Sequence, residues 1–186
     1  MTNEPSKTDV TKALAVGSVL YALLLCVGLV WLWLRDRLDV LPEMAVGIHG
    51  PWLASGLGLV VGYVGALILR GASPHVRVVA ELERQSRELF GQSNDTATMA
   101  FLLIGVVAEA IFFRLAVQDA VGLVGAVAVY SLLHGSIGGF AWIPFTAVLS
   151  LVLGLFVQQG FGLLGSATAH AIMNYCSLRR ILCTPG

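Results

Sequence analysis

The chain has 186 residues, of which 57% are hydrophobic and only 12% charged, at a mean hydropathy of +0.84. Ordinary soluble domains are about 25% charged, so this composition excludes a typical water-soluble globule and points to lipid as the solvent. Eleven basic residues balance eleven acidic ones, which leaves no basic surface for nucleic acid. The three cysteines, Cys26, Cys176 and Cys183, form neither a metal pattern nor a disulfide framework.

Met1 to Lys12 is polar, and residues 13–34 then run without a charge to Trp31 and Trp33, just before Arg35-Asp36-Arg37. A secretory signal has a shorter apolar region and a small-residue cleavage site, so this run reads as a retained span. Residues 51–69 form a second uncharged run, opened by Trp52 and closed by Arg70. Within it, Gly58 and Gly62 have the spacing that permits close helix packing, although a chain with 21 glycines also produces that spacing by chance. Charges return over 74–90, where Val79, Leu82, Leu89 and Phe90 make a partial apolar stripe opposite Glu83 and Arg87. An interfacial amphipathic helix is expected there, with Ser73 as N-cap, Pro74 at its first position and Gly91 just past its end. Asn94-Asp95 supply a cap for a third span over 96–118, interrupted only by Glu109 and Arg114.

Residues 120–178 contain no Asp, Glu, Lys or Arg. A single helix of that length would be close to ~90 Å long, about three bilayer cores, so the segment must fold back on itself. Glycines at 135–139 and at 160 and 162 supply the breaks and give spans near 120–138, 141–159 and 163–182. The expected fold is an all-α, polytopic transmembrane bundle of about six spans in a single membrane domain. Lys7, Lys12, Arg70, Arg77, Arg84, Arg87, Arg179 and Arg180 lie on one side of such a bundle and only Arg35 and Arg37 on the other. By the positive-inside tendency both termini are cytoplasmic.

Within the spans five polar residues are costly enough to require a reason: Glu109, Arg114, His134, His170 and Asn174. His170 and Asn174 are four apart, as are Tyr130 and His134, so each pair shares a helix face. A carboxylate ringed by Phe, Leu, Ile and Val is costly in its charged form, which favours it as a proton acceptor. Against these readings, a lone membrane histidine is commonly a packed, hydrogen-bonded residue, and Arg114 near a helix end can extend to the headgroups.

The stretches Glu109-Ala-Ile-Phe-Phe-Arg114, Tyr130-Ser-Leu-Leu-His134 and His170-Ala-Ile-Met-Asn174 resemble, in order, the three motifs of the CPBP family. These are the CAAX-processing and bacteriocin-processing intramembrane proteases, with motifs E-E-x-x-x-R, F-x-x-x-H and H-x-x-x-N. The resemblance covers residues 96–182. It implies a glutamic-type endopeptidase without a cofactor. Glu109 and His134 would activate a water, His170 and Asn174 would donate hydrogen bonds to the oxyanion, and Arg114 and Tyr130 would support them. The substrate would be a membrane-anchored protein or peptide, and the location a bacterial cytoplasmic membrane. Three departures stand out: Ala110 replaces the second glutamate, Tyr130 stands where the family has Phe, and about six spans stand against the family's usual eight.

Glu109 lies about twelve residues, roughly 18 Å, along an outward-running third span, so its pocket is expected beyond mid-membrane. That position suits carboxyl-terminal sorting tails of exported proteins. The same residues also admit a zinc site of two histidines and one carboxylate, a non-catalytic protein that binds a membrane partner, and a proton-coupled transporter.

Overall fold

The computed structural model describes residues 7–39, 41–90, 95–140 and 142–183, and among them no strand occurs. The helices are α1 (Lys7–Leu34), α2 (Leu41–Val46), α3 (Pro51–Ala72), α4 (Arg77–Phe90), α5 (Asp95–Glu109), α6 (Gln118–Gly138), α7 (Trp142–Gln158) and α8 (Gly162–Cys183), with a π-helical segment, Ala110–Val117, joining α5 to α6. Three stretches, Thr11–Leu34, Pro51–Ala72 and Thr96–Ser136, are long and apolar enough to cross a membrane, and Trp142–Gln158 is a shorter apolar helix. The molecule is therefore an all-helical bundle built for a bilayer. Helix α8 matches them in length, but Ser166, Thr168, His170, Asn174, Arg179 and Arg180 make it more polar.

Lipid as solvent explains the distribution of side chains. Large apolar groups face outward along the long helices, with Trp52 90% and Val16 71% exposed, whereas several of the most buried residues are polar: Arg114, Thr98, Thr146, Ser150 and Ser166. Apolar burial cannot drive helix association against lipid tails, so close packing of small residues and interhelical polar contacts take over. Gly58 and Gly62 do this on α3. A Cβ on Gly58 would stand 2.5 Å from the Gly165 carbonyl oxygen, and one on Gly62 would stand 2.4 Å from that of Ala169. The backbones of α3 and α8 meet there, and no larger residue fits without moving one of them.

The 96–136 stretch is not one rod. Gly122 has φ 75° and ψ 176°, outside helical geometry and costly for any residue with a Cβ. Tyr130 and Glu109, 21 residues apart, are joined by a 3.0 Å hydrogen bond, whereas a continuous helix would separate them by roughly 31 Å. The chain thus reverses at Gly122, a few residues beyond the break expected near Asp119. The later breaks occur at the glycines marked for them, with positive φ at Gly139, Gly160 and Gly162.

Helix α4 starts at Arg77 rather than at Pro74. The amides of His75 and Val76 both donate to the Ala72 carbonyl and prolong the turn that ends α3. Ser73 does not cap α4; its hydroxyl donates to Glu83 Oε2 at 2.6 Å. Gly91 and Asn94, proposed as a helix stop and a helix cap, lie outside the described residues. The short α2 was not anticipated; its Leu41 and Met44 pack against Leu32, Leu115 and Ala116. At that end of the bundle Asp119 accepts from Arg35 at 2.7 Å and from Arg37 at 2.8 Å, tying the end of α1 to the start of α6. At α4, Trp142 Nε1 donates to Gln85 Oε1 at 2.9 Å, and Glu83 pairs with Arg180.

Candidate functional site

Glu109 is the last residue of α5, and the π-helical segment begins immediately after it. The wide turn closes with the Gln118 amide bonded to the Phe113 carbonyl, five residues back. In such i→i+5 geometry, found frequently at functional sites, residue 114 returns toward the face occupied by residue 109. Glu109, Ala110 and Arg114 accordingly line one small cavity together with Tyr130, Leu153, Ser166, Ala167 and His170. Its free volume is about 10 Å³, close to the least that holds one water.

The Glu109 carboxylate is buried and is approached from three helices. Tyr130 on α6 donates its hydroxyl to Oε2 at 3.0 Å. His134, one turn further along α6, brings Nε2 to 3.8 Å from Oε1. That separation is too long for a direct hydrogen bond. The His134 ring stacks on Tyr130, with centroids 4.1 Å apart. Its Nδ1 lies 2.9 Å from the Tyr130 carbonyl oxygen, which can only accept, so Nδ1 donates there and Nε2 faces Glu109. His170 on α8 is 7% exposed and lines the same cavity. Tyr21 on α1 also lies close enough to the Glu109 carboxylate to interact with it electrostatically. It reaches that far because position 105 is glycine; a Cβ there would be 2.6 Å from the Tyr21 ring.

Arg114 is 2% exposed and does not reach the headgroups. Nor does it form an ion pair with Glu109 within 4 Å among the described residues. Its Nη2 donates to Ser150 Oγ on α7 at 3.1 Å, and its guanidinium carbon lies 5.4 Å from the centre of the Tyr130 ring. The charge is thus held by a hydroxyl and a π-face in place of the carboxylate that Ala110 does not provide.

Asn174 is not part of this cluster. It lines a second, almost wholly apolar crevice with Met99, Leu102, Leu103, Val106, Ala171 and Tyr175. Four residues advance a helix by about 400°, so a pair at that spacing diverges by about 40°; here His170 and Asn174 fall in different inter-helix spaces. Among the described residues no three His, Cys, Asp or Glu side chains gather closely enough to hold a metal ion. Tyr21, Ser150 and Ser166 were missed by sequence reasoning. A tyrosine or serine in an apolar run looks like packing, and only Gly105, four residues before Glu109, hinted at a close approach.

No protein-family model matches the chain, and no curated protein or solved structure matches it either.

Proposed function

We propose that the protein is a glutamic-type intramembrane endopeptidase in which Glu109 and His134 activate a water against a peptide bond. The observation that carries this reading is a buried carboxylate that has an imidazole nitrogen 3.8 Å away and lines, with His170, a cavity of about one water's volume. In the proposed reaction, water loses a proton to the Glu109–His134 pair as its oxygen bonds to the carbonyl carbon. The C–N bond then breaks, and the proton passes to the departing amine. His170, on the opposite wall, would donate to the oxyanion, where a fixed donor at low dielectric is worth most. Tyr130 holds Glu109 in position, and Arg114 offsets its charge. No cofactor enters these steps.

The rest of the reading is proposed with it: six crossings, termini in the cytoplasm of a bacterial cell, and membership of the CPBP family as a short, divergent member. The substrate class is a membrane-anchored protein cut near a carboxyl-terminal apolar segment. Support for it comes from the depth of the site. Glu109 closes a helix that begins at Asp95, roughly 21 Å away, so only a chain already in the bilayer meets it.

The test is processing of tail-anchored reporter proteins in membranes by the native chain, Glu109→Gln and His134→Ala. The native chain should release the tail and both variants should accumulate precursor. Equal processing by all three would end the proposal.

A further inference from the structure

A second space lies along the same seam between α5 and α8, one turn from the candidate site. Glu109 on α5 and Ala167 and His170 on α8 face the small cavity, whereas Met99, Leu103 and Val106 on α5 and Ala171 and Asn174 on α8 line the crevice. Val106 precedes Glu109 by roughly 4.5 Å along the helix, and Met99 lies roughly 10 Å further. The crevice holds about 170 Å³, a little more than the ~150 Å³ of an apolar cavity that admits a benzene ring. Leu103 and Tyr175, which border it, are half-exposed, so it opens sideways toward the bilayer.

Asn174 decides what fills this crevice. Among the described residues its side chain hydrogen-bonds to no other group, and it stands near the middle of α8 (Gly162–Cys183). An amide left so in hydrocarbon is costly. An acyl tail matches the apolar walls and leaves that amide unsatisfied. Phospholipid esters and phosphates only accept hydrogen bonds, and the nearer end of α8 is roughly 14 Å from Asn174. A peptide bond matches it in both senses, because its carbonyl accepts from the Asn174 amide nitrogen and its N–H donates to the amide oxygen. We propose that the crevice takes one large apolar side chain, of the size of Leu, Met or Phe, from a peptide embedded in the bilayer, while Asn174 pairs with that residue's backbone. An extended chain advances about 3.3 Å per residue, so the bound residue is one or two positions from the bond presented to Glu109. That placement rests on the peptidase reading; the peptide site itself stands on the crevice and Asn174.

The test uses the full chain carrying Glu109→Gln in lipid nanodiscs, with Leu-Ala transmembrane peptides of about 20 residues, each bearing one photo-reactive leucine at a successive position. Irradiation should attach a peptide at Met99, Asn174 or Tyr175, located by mass spectrometry. Leu103→Trp, which fills the crevice from a half-exposed position, should abolish that attachment. Asn174→Leu, which keeps the size and removes the amide, should weaken it about fivefold. Ile104→Trp, equally exposed and outside both spaces, should leave it unchanged. The proposal would be overturned by attachment only elsewhere, or by equal attachment in Leu103→Trp and Ile104→Trp. It would also be overturned by a phosphatidylcholine with a photo-reactive acyl chain that labels the crevice as strongly with the peptide as without it. With Glu109 restored, Asn174→Leu should raise KM for tail-anchored reporters about fivefold and leave kcat; a lowered kcat with KM unchanged would overturn the pairing with substrate backbone. Peptide attached as expected by a chain that cleaves no reporter would remove the peptidase reading and leave the peptide site standing.

Discussion

The contact between α3 and α8 allows the catalytic reading to be tested without touching any polar residue. Substituting Gly62→Ala adds one methyl group whose carbon would stand 2.4 Å from the Ala169 carbonyl oxygen and 3.0 Å from Ile172 Cβ, whereas ordinary contact begins at 3.4 Å. The backbone oxygen cannot rotate away, so α3 and α8 must part by about 1 Å, and His170 follows Ala169 directly on α8. Displacements of about 1 Å at a reacting group cost on the order of 100-fold in rate, and overpacking costs about 1–3 kcal/mol of stability, partly offset by the ~1 kcal/mol helix preference of Ala over Gly. Gly56→Ala, on the same helix with nothing within 4 Å of the new carbon, is the control and should be neutral or slightly stabilising. Reporter cleavage in membranes and thermal unfolding in detergent measure the two effects. If Gly62→Ala cleaves as fast as Gly56→Ala, the position of α8 does not set the chemistry and the role given to His170 is wrong.

Tyr130→Phe removes the 3.0 Å bond to the Glu109 carboxylate, which should cost about 2 kcal/mol of stability, as hydrogen bonds to charged groups do. Cleavage should slow roughly tenfold; a variant as stable and as fast as native would show that the hydroxyl does not hold the base. Treatment with a strong chelator should leave cleavage unchanged, and activity lost to chelation and restored by zinc would replace the metal-free mechanism with a zinc one. The polar helix α4 should respond to acid. Bonds from Arg84, then from Gln85, hold the Glu81 carboxyl at about 2, below its ordinary 4.5. A lowered folded value means that this contribution is complete above pH 4.5 and is lost as pH falls toward 2. Amide protection over Arg77–Phe90, measured relative to the intrinsic exchange rate at each pH, should therefore fall across that window. Because the pair is exposed and screened the change should be small, and none at all would mean that the ion pair does not brace the helix.

Much of the helical layout was legible because lipid imposes a simple rule: uncharged runs of span length, closed by Arg70 or by glycines at 139, 160 and 162, stand out against the polar 77–90 segment. The same rule isolated Glu109, His134, Arg114 and His170 as anomalies, and these line or border one small space. What could not be read was local geometry that no composition encodes. The π-helical turn depends on how Ala110–Val117 packs between α1 and α6. The course of the chain past Asp119 to a reversal at Gly122 depends on one backbone torsion. Asn174 shares the i, i+4 spacing with His170, yet a residual rotation of about 40° directs it to another crevice. The headgroup alternative for Arg114 stayed open in the sequence, because its burial against Ser150 requires α7, 36 positions away.

The wide turn after Glu109 makes segment length, and not only segment content, part of the site. Each of its loops uses an additional backbone unit. Wound as ordinary α-helix, the same five positions would advance by about 500° and leave Glu109 and Arg114 about 140° apart. Glu109 would then turn away from Arg114 with both side chains still present. Such a chain would be chemically complete and geometrically dismantled, so in any variant of this protein the winding and spacing between Glu109 and Arg114 carry as much information as their identity.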